Sequence, residues 1–555
     1  MSDLPWWKTT VFYQIYPRSF QDSDGDGFGD IPGIISRLDE LAALGVGCLW
    51  LSPLYPSPDA DNGYDIADYC AIDQRYGSLD DFDELVRQAG RRGIRIIMDL
   101  VVNHTSDEHR WFEASRRRQE PYTDYYIWRP ALPNGKPPNN WTGFFMGSAW
   151  QWDPVRGEYY LHLFDKKQPD LNWNNPAVLT EIENVLRFWL DRGVAGFRCD
   201  VITCLYKTSL QDGKGLPIVR GMEHYKTQPG LHEILRTLRR DVLDPYDAFT
   251  VGEAAMVTLD EGRDLTDPDR GELDLIFFFD HLEVDRLISR YGPKPFSARE
   301  LLRRLTVWQQ GLHWNALYLE NHDQPRIVSH YGNDTRFWSR SAKLFAVLLM
   351  TLRGSPFIYQ GQEIGMTNSG FTGIDELDDV ESHNMYALLG RLGIPQRVRW
   401  AMIRQASRDN ARTPVQWDAT ANAGFTTGVP WLRVNRNADA INYANQQADP
   451  QSVLSFYRRM VKLRAGSPTL LEGDFEPVHA DRAVMVYQRG SAEGAPACTV
   501  YLNMSDKAQP LRRPWADAIL ASGKTTTTCL VSNTGREHFN DRLLPWEAVV
   551  VQESI

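Results

Sequence analysis

In the stretch Gly196-Phe197-Arg198-Cys199-Asp200-Val201 an arginine stands two residues before an aspartate at the predicted end of a buried strand. Residues i and i+2 of a strand point to one face, so Arg198 and Asp200 are read as neighbours. A guanidinium beside a carboxylate favours the ionised form and lowers its pKa, and an ionised, oriented carboxylate is a nucleophile. A structural ion pair would use the same two residues, because buried pairs perturb pKa values without doing chemistry. The company decides between the two: Asp99 with His104, then Glu253, then His322-Asp323 each follow another apolar run in the same way.

Those residues converge only if the runs are strands of one sheet whose ends meet. The chain repeats an apolar run, a polar loop and an amphipathic helix, with strand-like runs at 11–16, 48–52, 94–101, up to Asp200, and at 249–252, 273–279, 316–319 and 357–359. Ile34, Ile35, Leu38 and Leu41, then Phe82, Leu85, Val86 and Ala89, then Ile182, Val185, Leu186 and Trp189 fall at helical spacing between them. The run 94–101 is apolar on both faces, as a parallel strand covered by helices must be. This pattern predicts an α/β fold, a (β/α)8 TIM barrel, whose working residues come from the C-terminal ends of its strands. Residues 104–172, rich in Trp, Tyr, Pro and Asn, read as an irregular subdomain inserted after strand three, and 368–418 as a second, loop-rich excursion. Short β-type runs at 484–487, 498–501 and 548–551 predict a C-terminal antiparallel β domain. The expected division is barrel at 1–103, insertion at 104–172, barrel again at 173–470 and a β-sandwich at 471–555.

Composition narrows the function. A formal charge of −12 on 555 residues argues against a nucleic-acid binder, which carries a basic stripe. The longest apolar run, 344–350, is far short of a membrane span, and Met-Ser-Asp-Leu-Pro-Trp-Trp-Lys at the start lacks the pattern of a secretory signal. Six cysteines without Cys-x-x-Cys spacing fit reduced thiols, so a cytoplasmic protein is expected. Eighteen tryptophans offer stacking surfaces for sugar rings, or thick core packing. A neutral or cationic small ligand is the easier expectation; oligomeric state is not legible.

Taken together and in order, Asp99-Leu-Val-Val-Asn103-His104, Gly196-Phe-Arg-Cys-Asp200, Gly252-Glu253 and Asn321-His322-Asp323 resemble the four short motifs of the α-amylase superfamily of glycoside hydrolases. Gln168-Pro-Asp-Leu-Asn172 is similar to the further motif of its oligo-1,6-glucosidase branch. The resemblance runs from about residue 11 to 417. It implies that Asp200 is the nucleophile, Glu253 the general acid/base and Asp323 the carboxylate that holds sugar hydroxyls, with Arg198, His104 and His322 lining the same subsite. Acetal cleavage needs such a pair: an acid to protonate the leaving oxygen and a carboxylate to meet the oxocarbenium-like carbon. Glu253 must keep a proton near neutrality, and crowding by Asp200 and Asp323 is expected to raise its pKa.

The resemblance also places Asp61 and Tyr64, in Asp61-Asn-Gly-Tyr64-Asp65, in the sugar pocket, although Asn-Gly reads as a simple turn. It pairs Arg412 with Asp61, with Arg408 four residues away as the competing choice. Asp22-Ser-Asp24-Gly-Asp26-Gly-Phe28-Gly-Asp30 alternates oxygen donors around a glycine like a calcium loop, yet Gly33 stands where an EF-hand has its glutamate. Asp22, Asp24, Asp26, Asp30 and the Phe28 carbonyl are therefore expected to hold a structural Ca2+, with magnesium open, or else to form a solvated acidic turn. No organic cofactor is expected. Val201 resembles the family's choice for α-1,6 bonds, or is merely a strand residue of good β propensity; with Asp61 and Arg412 closing the pocket, the resemblance implies an exo-acting, retaining α-glucosidase of the isomaltose type. A sucrose-active or transglucosylating enzyme, or an α-1,4-glucosidase, shares the nucleophile. Pro325-Arg-Ile-Val-Ser329 departs from the charged run of the resembling isomerases. A non-catalytic, transporter-associated relative would call for a membrane anchor and eroded acids.

Overall fold

The computed structural model describes residues 4–215, 219–287, 290–520, 527–539 and 541–553. Eight parallel strands, β1 (Phe12–Ile15), β2 (Cys48–Leu51), β3 (Arg95–Leu100), β4 (Gly196–Cys199), β5 (Phe249–Glu253), β6 (Leu275–Phe277), β7 (Ala316–Leu317) and β8 (Ser355–Tyr359), run in the order β7-β8-β1-β2-β3-β4-β5-β6. The seam between β6 and β7 is bridged by side chains, Tyr318 Oη donating to the Phe278 carbonyl at 2.9 Å and His281 Nε2 to the Tyr318 carbonyl at 2.7 Å. The result is the predicted barrel, closed by these bonds where the ladder is missing.

Its interior is packed rather than open. Phe12 stacks on Phe357 with centroids 4.3 Å apart and Trp50 on Phe277 at 5.5 Å, while Trp6, from the short helix Trp6–Thr9, packs against Phe12 and Phe249 from below. A filled floor leaves only the C-terminal mouth for ligands. Helices cover the outside, each started by a local device: Ser78 and Asp81 form a capping box for Leu79–Arg91, and Asn175 caps Pro176–Asp191 ahead of an N1 proline. Behind β1 the predicted single helix is two, Ile31–Ser36 and Leu38–Leu44, broken at Arg37.

The excursions are more ordered than their composition suggests. The insertion carries a three-stranded antiparallel sheet of Trp128–Arg129, Glu158–Leu161 and Trp150–Asp153, and the stretch expected to be loop-rich holds two longer helices, Val380–Arg391 and Gln396–Ala406, besides the single turn Asp409–Arg412. That pair bury only Ser382, Met385, Ile403 and Ala406, so the apolar periodicity that announces a helix is nearly missing. At the C-terminus, Phe475–Ala480, Val484–Arg489, Cys498–Asn503, Ala548–Glu553 and Thr527–Ser532 form one antiparallel sheet in that order, beside a two-stranded ribbon, Gln509–Pro510 with Arg542–Leu543. Among the described residues no helix is long and apolar enough to cross a membrane, and the six cysteines are free.

Candidate active site

Register builds the centre of the site. Asp99 on β3 pairs with Arg198 on β4, and Cys199 with Gly252 on β5, so the three strands present Asp99, Arg198, Asp200 and Glu253 at one level. Gly196 makes the packing possible: at φ +152° a Cβ there would lie 2.0 Å from the Phe249 carbonyl oxygen. Arg198 Nη1 donates to Asp99 Oδ1 at 2.7 Å and to Asp200 Oδ1 at 2.6 Å, and its Nη2 to Glu253 Oε2 at 2.5 Å. Asp99 also accepts from Tyr64 Oη at 3.0 Å and Trp50 Nε1 at 3.2 Å, which leaves it saturated and fully buried.

One positive charge faces three buried acids. The sequence reading has Arg198 depress the Asp200 carboxyl; instead burial outweighs the guanidinium and pushes it up to about 7, and Asp99 up to about 6. Glu253 goes higher, to about 8, and burial is the first cause, opposed by Arg198 and reinforced by Asp200 and Asp323. Crowding alone was the expected cause, and it ranks behind desolvation. Glu253 thus holds the proton and lends Asp200 a hydrogen bond.

The turn after β2 carries Asp61 and Tyr64, with Asn62 at φ 52° and Gly63 at φ 99°; the turn and the pocket are one feature. Asp65 organises it, accepting the amides of Ala60 at 2.9 Å and Asp61 at 3.0 Å. Tyr64 stacks on His322 at 5.2 Å. Gln14 Nε2 meets His322 Nδ1 at 2.7 Å; with the amide donating, the proton of the ring sits on Nε2, which has no hydrogen-bond acceptor among the described residues and stands 3.4 Å from Asp323 Oδ2. Burial lowers the pKa of His322 to about 3 and of His104 to about 4, so both rings are neutral donors. His104 Nε2 lies 3.1 Å from the Tyr64 carbonyl and 3.1 Å from Gln168 Nε2, and Gln168 reaches Asp61 Oδ2 at 3.3 Å.

The arginines are exchanged relative to expectation. Arg408, not Arg412, pairs with Asp61, Nη2 to Oδ1 at 3.0 Å, whereas Arg412 Nη2 donates to Asp323 Oδ1 at 2.7 Å and its Nε to the His322 carbonyl at 2.9 Å. Arg412 lies on the helical turn Asp409–Arg412 that packs against the barrel, and Arg408 before it turns to the pocket wall. Despite burial, His322, Arg408 and Arg412 hold the Asp323 carboxyl well below the ordinary carboxylate range. Asp61, Tyr64, His104, Asp200, Glu253, Asp323 and Arg408 line a cavity of about 440 Å³ at the mouth of the barrel, with Phe144, Phe145, Phe164, Tyr225, Met256 and Phe279 as its apolar wall; contrary to expectation, Arg198, His322 and Arg412 stand behind this lining rather than in it. Val201 borders it in the left-handed region (φ 36°, ψ 40°), an uncommon place for a β-branched residue, and its amide donates to Glu253 Oε2 at 3.3 Å.

With this geometry in hand, residues 14–473 match the family described as "Alpha amylase, catalytic domain". The chain belongs to the α-amylase family. It is 46% identical over 98% of both chains to an oligo-1,6-glucosidase of Parageobacillus thermoglucosidasius, and 45% identical over 86% of both to a trehalose-6-phosphate hydrolase of Bacillus subtilis. The crystal structure of trehalose-6-phosphate hydrolase from Bacillus licheniformis superposes with a TM-score of 0.93 at 41% identity over the whole of both chains. As an α-amylase family enzyme the chain is a glycoside hydrolase.

The metal loop is only partly assembled from the predicted ligands. Carboxylate oxygens of Asp22, Asp24 and Asp30 come within 4.8 Å of one another; Asp26 is outside that group, its Oδ1 accepting the Phe28 amide at 2.8 Å. Three close carboxylates repel unless a cation lies between them, and an all-oxygen set suits a hard divalent ion. The residues therefore fit the expected ion.

Proposed function

We propose that this α-amylase family member is a retaining, exo-acting α-glucosidase that removes terminal glucose from short α-1,6-linked glucosides, and that it works in the cytoplasm with its thiols reduced. The carrying observation is that Asp200 and Glu253 bind neighbouring nitrogens of one guanidinium. Glu253 also hydrogen-bonds Asp200 directly, which supports a close pair rather than one held roughly 6.5–9.5 Å apart around a water as in inverting enzymes. Glu253 gives its proton to the glycosidic oxygen as Asp200 Oδ attacks the anomeric carbon; the carbon–oxygen bond to the leaving sugar breaks and a glycosyl ester forms. Glu253, now ionised, takes a proton from water, whose oxygen displaces Asp200 and restores the α configuration. Asp323, His322 and His104 hold the ring hydroxyls, and the buried Asp61–Arg408 pair walls off the far side, which supports removal of one terminal unit at a time.

Two features support an uncharged α-1,6 substrate over the phosphorylated sugar named for some relatives. Each pocket cation already has a partner: Lys226 has Glu261 at 2.8 Å, Arg290 has Glu381 at 3.3 Å, and Arg286 has Asp285 at 3.8 Å. Beside the nucleophile, Val201 offers a β-branched apolar surface and no hydrogen bond to an acceptor sugar. We also propose that Asp22, Asp24 and Asp30 hold a calcium ion; its role would be to neutralise the loop charge and stiffen the loop. Specificity constants for isomaltose, maltose, sucrose and trehalose 6-phosphate test the reading, with isomaltose expected first. Val201→Thr should move the isomaltose-to-maltose ratio toward maltose by a factor worth about 1–3 kcal/mol. A wild type that prefers maltose, sucrose or the phosphorylated disaccharide overturns the α-1,6 assignment.

A further inference from the structure

Asp379 lies outside the pocket and is fully buried, at the N-cap of the exposed helix Val380–Arg391. Its Oδ1 accepts from Arg408 Nε at 2.8 Å and from the Glu381 amide at 3.1 Å; its Oδ2 accepts from Ser382 Oγ at 2.6 Å, the Arg408 amide at 3.2 Å and Ser407 Oγ at 3.4 Å. Behind it, Asp409 Oδ2 accepts the amides of Asp378 at 2.6 Å and Asp379 at 3.0 Å, so the cap itself is pinned. A guanidinium gripped at Nε has its plane fixed, and only its two terminal nitrogens are left to reach forward. Those nitrogens go to Asp61 Oδ1 at 3.0 Å and Asp323 Oδ1 at 3.4 Å, with the guanidinium carbon 5.3 Å from the centroid of Phe145. The same helix reaches the insertion across the pocket mouth, Asn384 Nδ2 donating to the Phe145 carbonyl at 3.3 Å.

We propose that Asp379 is a positioning residue for terminal-glucose recognition: it holds Arg408 back at the pocket wall, so that Arg408 orients Asp61 at 3.0 Å while its contact with Asp323 stays long, at 3.4 Å. Asp323 already receives Arg412 at 2.7 Å, and the sugar hydroxyls need its remaining oxygen positions. With the charge behind Arg408 removed, the guanidinium is drawn forward by the two acids in front of it and competes with the sugar for Asp323. The small exposed helix pair thereby contributes to the active site through one buried carboxylate rather than through its own surface. The inference rests on the reading that Asp61 and Asp323 hold the terminal glucose.

Asp379→Asn separates positioning from helix capping, because asparagine caps a helix about as well as aspartate. The probe is glucose as competitive inhibitor of p-nitrophenyl α-glucoside hydrolysis, with melting temperature measured alongside. The inhibition constant and KM should rise roughly ten- to a hundredfold, the scale of effect of a misplaced binding group, while kcat falls less, in protein that still unfolds cooperatively though at a lower temperature. Ser382→Ala, which removes only a hydrogen bond to the cap, should lower the melt and leave the inhibition constant unchanged. Equal glucose affinity in wild type and Asp379→Asn overturns the proposal, as does a loss confined to stability. If Asp379→Asn does not fold, Asp379→Ser, which also caps, is measured in its place; failure of both to fold would make Asp379 a structural requirement and also overturns it. Because the aryl glucoside serves whatever linkage the wild type prefers, a wild type inactive on isomaltose would count against the proposed substrate and not against Asp379.

Discussion

Arg198 neutralises at most one of the three carboxylates that surround it, so at neutral pH the cluster keeps a proton, and the titration steps belong to the cluster rather than to single residues. The highest step, near 8, is governed by Glu253. The pH profile of kcat/KM should therefore fall on its alkaline side near that value as the acid is lost, and on its acid side as Asp200 takes a proton. Asp200→Asn should abolish turnover while keeping the fold, and Glu253→Gln should slow hydrolysis of isomaltose roughly 10²–10⁴-fold while an activated aryl glucoside still forms the glycosyl-enzyme. Linkage gives a stability counterpart. The folded protein holds a proton on Glu253 that the unfolded chain releases near its ordinary pKa of about 4.3, so this group makes stability fall as pH rises from there to about 8. Glu253→Gln should thus melt higher than wild type at pH 8.5 and the two should converge below pH 4; a constant difference across that range would contradict the buried, protonated acid. Arg198 and Asp200 were legible from their i, i+2 spacing, but the net direction of the Asp200 shift was not, because burial is a property of the assembled mouth.

At the level of elements, the loop holding Asp22, Asp24 and Asp30 does not end at its own carboxylates. Thr426 Oγ1 donates to Asp22 Oδ2 at 2.5 Å, Phe28 stacks on Trp431 at 6.3 Å, and Arg18, 4.8 Å from the Trp431 ring, donates to Asn62 Oδ1 at 2.5 Å and Asp59 Oδ1 at 2.8 Å. The loop is thus joined to the turn that presents Asp61. If it binds calcium, EDTA treatment of metal-loaded protein should lower the melting temperature, by mass action, and raise KM more than it lowers kcat; an unchanged melt and KM in protein shown to have lost metal would separate loop from turn. Alternating acids made the loop legible, whereas the absence of Asp26 from the cluster was not: Asp22, Asp24 and Asp26 each accept the amide two residues on, and only the folded loop brings Asp30 beside Asp22 and Asp24. The exchange of Arg408 and Arg412 has a similar cause. Residues four apart lie on one side of a helical turn, so sequence spacing cannot say which faces Asp61 and which Asp323. Arg408→Lys should raise KM for the terminal glucose, since an ammonium cannot reach Asp61 and Asp323 while also held at Asp379.

Over the whole molecule, the strand-end acids were readable because a barrel sends its working residues to one mouth, and Asp99, Asp200, Glu253 and Asp323 do come from the ends of four strands there. The floor is sealed by Phe12, Trp50, Phe277 and Phe357, so ligand enters from the side where the insertion and the helix pair stand. The helix pair was read as irregular because it buries few residues, and the insertion because its many buried aromatics follow no helical period; the two meet in contacts such as Asn384 with Phe145, made only in the folded chain. Together they line the (β/α)8 mouth, through Phe144, Phe145, Phe164 and Glu381, as the proposed removal of one terminal sugar at a time requires, and the net charge of −12 agrees with a neutral ligand. The stereochemistry of the first product tests this account most directly. In methyl α-isomaltoside only the released glucose gains a free anomeric carbon, so proton NMR during the first minutes of hydrolysis reads the outcome without interference. The account predicts that α-glucose appears first and the β-anomer only later, by mutarotation. Initial release of β-glucose, or no release at all, would contradict it.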